Sequence, residues 1–378
     1  MTVVNNVPPK WYEAWLRTEL SDLSLAISLT WIVVFVAEQN WPIVPGEGLQ
    51  PNIHTNTALG ALDLTSVSRG EWWRFFTNPL LHGGPNHLQW DILALLSVGP
   101  IFQALVGRAW FGATFASVAL ASGAVSLLIN PVFPGTIGPM GVVMGILAAN
   151  FVCGFHFKEK EIRSRVWQAS GISLVAALFQ TFRPQGFPVD ISGHIGGMVS
   201  GVLVGCAFLL SWPQDWPRPR FELAARIVSC LFALGVIAGF GMVALRYPYY
   251  VQKMAETIPP SELRKFNMAH AIAKSEEYIV RYPSDPWAHL LHGTYFFERK
   301  DYADAEGEFR TGLKLANESP FGPLYADHAR AMLAIALWHQ GRFREAENAA
   351  APSCHSKNSD PLFRQMIKSL QDAHICGG

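Results

Sequence analysis

The most informative segment of this chain reads EWWRFFTNPLLHGGPNHLQWDILALLSVGPIFQALVG and runs from Glu71 to Gly107. From about His87 onward it is mostly apolar and long enough for a membrane span, which needs about 20 residues. Three ionisable side chains, His82, His87 and Asp91, precede or open this apolar run. Ionisable groups inside a span are costly and usually mark a function. The segment therefore predicts a membrane helix with a polar site near one end.

Six other apolar segments accompany this one along the chain. The seven segments lie at about 20–36, 87–107, 110–129, 141–157, 166–182, 191–210 and 223–245. Short loops separate most of them, which disfavours a soluble protein with buried helices. No small-residue cleavage site follows the first segment, so a cleaved signal peptide is not expected. We predict an all-α fold: a polytopic membrane bundle with a six-helix core and one extra span, followed by α-helical repeats.

Charge is unevenly distributed along the 378 residues. Only 15% are charged, against about 25% in average soluble domains. The formal net charge is zero, which gives no indication of a nucleic-acid partner. Charges are sparse through the apolar segments and return at ordinary density after them. The predicted domains are a cytoplasmic N-terminal segment at 1–19, a membrane core at 20–212, a linker with the seventh span at 213–250, and a soluble repeat domain at 251–378.

Lysine and arginine in the short loops predict the orientation, because basic loops stay in the cytoplasm. Three loops that would share one side carry Arg108, Lys158, Lys160, Arg163, Arg165, Arg218 and Arg220. On the other side, the loop at 130–137 has no charge and the next one has only Arg183. Lys10 and Arg17 place the N-terminus in the cytoplasm. If the seventh segment spans, the C-terminal domain lies outside the cytoplasm.

Small residues recur every four positions in two segments, which lets helix backbones approach closely in lipid. These residues are Gly141, Gly145, Ala149, Gly193, Gly197 and Gly201. We expect most of the glycines to serve packing.

The polar residues belong to motifs that resemble those of rhomboid intramembrane serine proteases, over about residues 20–210. The family has a Trp-Arg pair and H-x4-H-x3-N before and in its second helix, G-x-S-G at the start of its fourth, and a catalytic His on its sixth. The matching positions are Trp73, Arg74, His82, His87, Asp91, Gly138, Met140, Gly141, His194 and Gly197. Together and in order, these motifs are a strong signal.

The resemblance implies a serine nucleophile on the fourth helix with His194 as its base, and an oxyanion site built around position 87 and position 91. This chain departs from that pattern. Met140 stands at the nucleophile position, and a thioether has no proton to lose. Asp91 replaces the oxyanion-site Asn and would repel the developing negative charge. Gln103 replaces a Glu and keeps hydrogen-bonding capacity.

Several alternatives remain at this point. Thr136, Ser192 and Cys153 are other potential nucleophiles, but none occupies the family position. Asp91 is expected to pair with His194 or His87, and His82 is expected to fix the loop through a hydrogen bond. A less favoured alternative is a metal site, since two His and one carboxylate form a known ligand set. That set would be His87, Asp91 and His194, with Met140 able to add a sulfur.

The C-terminal part matches the spacing of tetratricopeptide repeats. One copy is indicated by Gly293, Phe296, Tyr302, Ala305 and Phe309, and a second by Leu333, Ala334, Leu337, Gly341, Phe343 and Ala346. Their separation predicts extra residues in a loop at 318–325, and a polar link at 252–259 precedes the repeats. Cys354 and Cys376 could pair if this domain lies in an oxidising compartment, whereas Cys153, Cys206 and Cys230 are expected to stay reduced.

These patterns predict an inactive rhomboid-like membrane protein that binds transmembrane clients in its core and a peptide or protein partner at its repeats. The partners are other proteins and the lipid bilayer, without nucleic acid and without a cofactor. Two other functions stay open: an intramembrane serine-type endopeptidase with an atypical site, and a metal-binding membrane protein.

Overall fold

A computed structural model describes residues 22–130, 135–182, 189–213, 216, 218–259, 262, 268–354, 356 and 361–376. The predicted N-terminal segment with Lys10 and Arg17 lies outside the described residues, as do Arg183 and part of the predicted loop at 130–137.

The membrane part of the described chain is helical, as predicted. Its long helices are α1 (Asp22–Asn40), α2 (Pro85–Ile129), α3 (Met140–Cys153), α4 (Lys160–Phe182), α5 (Ile191–Ser211) and α6 (Glu222–Ala255), and a 3-10 turn at Gly154–His156 follows α3. The loop between α1 and α2, here called the first loop, contains short helices at Ile53–Leu59, Leu64–Ser68 and Arg74–Thr77 and a 3-10 turn at Asn78–Leu80. Within the described ranges, β-pairing is limited to isolated bridges, including one between Leu62 and Thr136.

Helix α2 contains two of the predicted segments. It breaks at Gly107, whose φ of 82° and ψ of 164° are not helical. Because side chains with a Cβ rarely adopt a positive φ, glycine suits this one-residue link. The next residue, Arg108, forms an ion pair with Asp22 at the start of α1, with 2.5 Å between Nη2 and Oδ2. The second and third segments are thus joined with almost no loop.

Four helices in the described chain, α1, α2, α5 and α6, are long and apolar enough to cross a membrane, and a shorter apolar helix covers Met140–His156. Helix α2, with 45 residues and its break at Gly107, is long enough for two crossings. These helices support an integral membrane protein.

Helices α3 and α5 pack backbone against backbone through the predicted glycines. A Cβ on Gly197 would lie 2.0 Å from the carbonyl oxygen of Gly141, and one on Gly201 would lie 2.0 Å from that of Gly145. No side chain fits at these contacts. The expectation that the spaced glycines serve packing is confirmed for this pair of helices.

The C-terminal helices are α7 (Met268–Ala273), α8 (Ser275–Arg281), α9 (Pro286–Glu298), α10 (Tyr302–Glu318), α11 (Pro323–His339), α12 (Phe343–Cys354) and α13 (Pro361–Asp372). Their buried apolar side chains form two clusters apart from the main membrane core, and Gly293 leaves room for the ring of Phe309. The assignment to tetratricopeptide repeats stays a prediction.

Two predicted linkers are shorter than expected. Helix α6 continues to Ala255, so the first part of the predicted polar link at 252–259 is helical. The reason is packing, since Tyr250 and Met254 lie in one apolar cluster with Phe321. The predicted loop at 318–325 is also wrong in length, because α10 ends at Glu318 and α11 begins at Pro323. The extra residues therefore lengthen helices.

The C-terminal helices contact the first loop. Arg69 Nη1 donates to the carbonyl oxygen of Ser319 at 2.8 Å, and His54 Nε2 lies 3.2 Å from the Tyr325 hydroxyl. Phe321 packs edge-on against His54, with 5.0 Å between ring centroids. The first loop and the repeat region therefore lie on the same face of the bundle.

Cys354 and Cys376 form a disulfide, with 5.5 Å between their Cα atoms. It joins α12 to the chain that follows α13. Cys153 is a buried free thiol, and Cys206 and Cys230 are free and exposed on the bundle.

Candidate functional site

The polar residues that open α2 gather into one buried cluster. Asp91 is fully buried, and its Oδ2 lies 3.4 Å from His87 Nε2 and 3.5 Å from His82 Nε2. His87 and Asp91 share one helix face because they are four residues apart. Neither oxygen of Asp91 makes a hydrogen bond within the usual geometric limits to any residue that the structure describes. We call these three residues the helix cluster.

The helix cluster shows which histidines lie next to Asp91. Of the two expected partners, His87 lies beside it and His194 does not pair with it, while His82 is an additional neighbour. The main chain of His82 ties the loop to α1: its N–H donates to Oε1 of Glu38 at 2.9 Å. Glu38 was not identified from the sequence. The only sequence feature that could have indicated Glu38 is its acidic side chain just beyond the first apolar segment.

Met140 occupies the position where the family motif has its nucleophile. It is the first residue of α3 and is buried. Gly138, two residues earlier, has a φ of 99°, and a Cβ there would lie 2.6 Å from Cε1 of His87. His87 therefore lies against the backbone that leads into Met140. The second-helix and fourth-helix motifs meet in space, as the resemblance implies.

His194, on α5, contacts a residue that the sequence did not single out. Its Nδ1 lies 2.9 Å from the hydroxyl oxygen of Thr181 on α4, and that oxygen also lies 2.9 Å from the carbonyl of Ala177. A hydroxyl has one proton to donate. If Thr181 donates to Ala177, its oxygen accepts from His194 Nδ1–H, and the other ring nitrogen is left as the basic one. Thr181 thus orients His194.

The alternative nucleophiles have other surroundings. The Thr136 hydroxyl lies 2.9 Å from Asp190 Oδ2 and 2.7 Å from the Ser126 hydroxyl, in a buried network. Cys153 is fully buried at the opposite end of α3 from Met140. Ser192, in the first turn of α5, is partly buried.

Trp73 and Arg74 have a structural role in the first loop. Arg74 is fully buried; its Nε donates to Glu71 Oε2 at 2.7 Å and its Nη2 donates to the Tyr250 hydroxyl at 2.5 Å. Another nitrogen, Nη1, donates to the carbonyl of Thr57 at 2.7 Å. The guanidinium also lies 4.9 Å from the centroid of the Trp73 ring. We call Glu71, Arg74 and Tyr250 the loop cluster.

Gln103 keeps a hydrogen-bonding role in place of the family's Glu. Its Nε2 donates to Asp22 Oδ1 at 2.8 Å, and its Oε1 accepts from the N–H of Leu23 at 3.4 Å. These contacts join α2 to the first turn of α1, far along the helix from Asp91. Gln103 is therefore a link between helices.

The alternative metal site requires His87, Asp91 and His194 to surround one point. Within the described ranges, no group of three or more His, Cys, Asp or Glu side chains is placed to hold a metal ion. His194 contacts Thr181 instead of joining His87 and Asp91 in a ligand set.

Comparison with known proteins gives the same assignment as the motifs. The sequence profile of the rhomboid domain matches residues 69–211. The chain is 27% identical over 239 residues to the rhomboid protease GluP of Bacillus subtilis, covering 63% of this chain and 43% of that protein. It is 27% identical over 243 residues to Rhomboid-like protease 3 of Toxoplasma gondii, covering 63% of this chain and 90% of that protein.

Similarity extends to relatives named as inactive. The chain is 30% identical over 189 residues to human Inactive rhomboid protein 1, covering 48% of this chain and 21% of that protein. The chain thus spans less than half the length of GluP and about a fifth of this relative. The fold, the order of the motifs and these matches agree: residues 69–211 of this chain are similar to a rhomboid domain and lie within an all-α membrane bundle.

Proposed function

We propose that this protein is a rhomboid-type pseudoprotease, which binds transmembrane segments of other proteins without cleaving them. The observation that carries the proposal is Met140 at the start of α3, against which His87 is placed through Gly138. The family reaction needs a hydroxyl at this position to attack the peptide carbonyl. A thioether has no proton to transfer and cannot form an acyl-enzyme.

Asp91 supports the same proposal from the oxyanion side. Its carboxyl group lies beside His87 and is shielded from solvent. Loss of one oxyanion donor costs about 2.7–4 kcal/mol of transition-state stabilisation. An acidic group at that place also repels the oxyanion when it is ionised. Restoring a nucleophile alone would therefore restore little activity.

The proposed clients are transmembrane helices, which the rhomboid core would meet within the bilayer. The C-terminal helices would supply a second surface, because stacked helix pairs form concave faces that bind peptides or proteins. The similarity to a relative named Inactive rhomboid protein 1 agrees with a binding role. Lipid is the remaining partner, and the neutral net charge gives no reason to add nucleic acid.

One contact favours a second candidate function, an intramembrane endopeptidase with a relocated nucleophile. The Thr181 hydroxyl lies 2.9 Å from Nδ1 of His194, within reach for proton transfer. Two relatives carry the word protease in their names. We place this candidate second because the Thr181 side chain is buried and its hydroxyl lies in bonding range of Ala177 in its own helix.

The deciding experiment is a cleavage assay on the full chain reconstituted in vesicles with a model transmembrane substrate. We expect no product and no labelling by fluorophosphonates. Met140→Ser alone should give little activity, and Met140→Ser with Asp91→Asn should give clearly more. Cleavage by the unmodified chain that Thr181→Val abolishes and Thr136→Val leaves intact would establish the second candidate. Full activity from Met140→Ser alone would refute the role assigned to Asp91.

We also propose that the N-terminus is cytoplasmic and that the repeat region, as a domain at 251–378, lies outside the cytoplasm. Support comes from the basic loops and from the disulfide between Cys354 and Cys376, since such bonds persist in oxidising compartments. An impermeant thiol reagent applied to intact cells after mild reduction should label both cysteines. Labelling only after the membrane is opened would place the domain in the cytoplasm.

A further inference from the structure

A cavity of about 380 Å³ lies between α1 and α6, away from Met140 and His194. Its walls come from both helices, including Val34 and Ala37 on one side and Val243 and Ala244 on the other. Leu59 and Leu81 of the first loop close its end. Most of the lining side chains are aliphatic or aromatic, so the cavity offers an apolar ligand a surface that water does not favour.

One of the residues that line this cavity, Glu38, carries a carboxyl group. Glu38 is only 1% exposed, and its Oε1 accepts from the N–H of His82 at 2.9 Å. Its other oxygen, Oε2, makes no hydrogen bond to any part of the chain that the structure describes. A buried polar atom without a partner costs free energy, and ionisable groups inside spans usually mark a site. The free oxygen calls for a hydrogen-bonding group from a ligand.

The dimensions favour a small amphiphile over a client helix. The Tyr247 hydroxyl donates to the carbonyl of Trp41 at 2.9 Å and so ties α6 to α1 beside the cavity. An α-helix with its side chains is about 10–12 Å wide, and one could enter only by separating these two helices. A volume of about 380 Å³ lies in the range of small-molecule sites, about 300–1,000 Å³.

We propose that this cavity binds a lipid whose polar end is a hydroxyl group, such as a long-chain alcohol or a monoacylglycerol. The apolar chain lies against the aliphatic walls, and the hydroxyl bonds to Oε2 of Glu38. A hydroxyl both donates and accepts. It therefore satisfies the Glu38 carboxyl group in either protonation state, whereas an ether has no proton to donate to the carboxylate.

The test uses a diazirine-bearing long-chain alcohol with the full chain in phosphatidylcholine vesicles. Irradiation followed by peptide mapping should place the label on α1 and α6. Ala37→Phe, which fills the cavity and leaves the contact from Glu38 to His82 in place, should reduce this labelling at least tenfold. Val33→Phe is the matched control, because Val33 lies on the same helix and is 67% exposed on its outer side; labelling should not change.

The polar end is tested separately. Glu38→Leu should abolish the site-specific label, and Glu38→Gln should keep most of it. On the unmodified chain, the methyl ether of the same probe should give at least fivefold less label, a result that needs no folded Glu38 variant. Equal labelling by alcohol and ether, or by the Ala37→Phe and Val33→Phe variants, would overturn the proposal. So would cross-linking of a transmembrane peptide, and not the alcohol, at these residues.

Discussion

Two buried polar clusters lie close together in sequence and differ in how they are satisfied. In the loop cluster, the Arg74 guanidinium donates to Glu71, to Tyr250 and to main-chain carbonyls. In the helix cluster, Asp91 has two histidine rings within 3.5 Å and yet makes no hydrogen bond within the described part of the chain. The polar groups of the loop cluster are hydrogen-bonded to one another, whereas those of the helix cluster lie close together without such bonds.

This difference separates a structural role from a site. A fully bonded buried network stabilises the fold, whereas an unsatisfied buried group costs free energy and is rare in native proteins. The Arg74 network also joins distant parts, because Tyr250 comes from the end of α6. The helix cluster lies instead where the rhomboid motifs meet, next to Met140. Proteins tolerate unsatisfied buried groups mainly at functional sites.

The largest effect is expected in the loop cluster. Arg74→Ala removes a fully buried guanidinium and leaves the buried Glu71 carboxylate with the Tyr250 hydroxyl and a 3.9 Å contact to Arg246 Nε as its remaining partners, so we expect a loss of about 3–5 kcal/mol in the free energy of unfolding. Thermal unfolding of the purified chain in detergent measures it. Arg226→Ala, which removes an exposed ion pair with Glu222, is the control and should change little. If the two changes lowered the free energy of unfolding equally, the Arg74 network would have no special stabilising role.

A smaller effect is expected when one hydroxyl is removed from the same cluster. The Tyr250 hydroxyl accepts from Arg74 at 2.5 Å and donates to Glu71 at 2.9 Å. Tyr250→Phe should cost about 1–3 kcal/mol, since both partners are buried and lose a bond. Tyr249→Phe, at the neighbouring position, is the control. In a double-mutant cycle with Arg74→Ala, the two losses should not add, because the residues share one network; additive losses would contradict the network.

The sequence predicted what depends on local spacing. Seven apolar segments became helices, and the four-residue spacing of His87 and Asp91 put both on one face. The four-residue spacing of glycines predicted the close contact of α3 and α5, since a Cβ on Gly197 would collide with backbone. Each of these predictions needs only the period of a helix and the size of a side chain.

What the sequence did not predict are contacts between elements far apart in the chain. Glu38 and His82 are 44 residues apart, Arg74 and Tyr250 are 176 apart, and neither pair has a motif. The contact of Thr181 with His194 depends on how α4 packs beside α5. The position of a residue along its own helix does not determine which other helix packs against that residue. The end of α6 was also missed, because its last turns are held by the first loop and Phe321 and not by their own apolarity.

The smallest stability effect is expected in the helix cluster, and it tests the comparison most directly. Asp91→Asn keeps the shape, and Asp91→Leu removes the polar atoms; because neither oxygen of Asp91 makes a hydrogen bond, each change should cost about 1 kcal/mol or less. The measurement is the same thermal unfolding in detergent, with Arg74→Ala alongside. If Asp91→Leu instead destabilises the chain as much as Arg74→Ala, the contacts with His82 and His87 hold the fold. Asp91 would then be a structural residue, and its place beside His87 would no longer indicate a site.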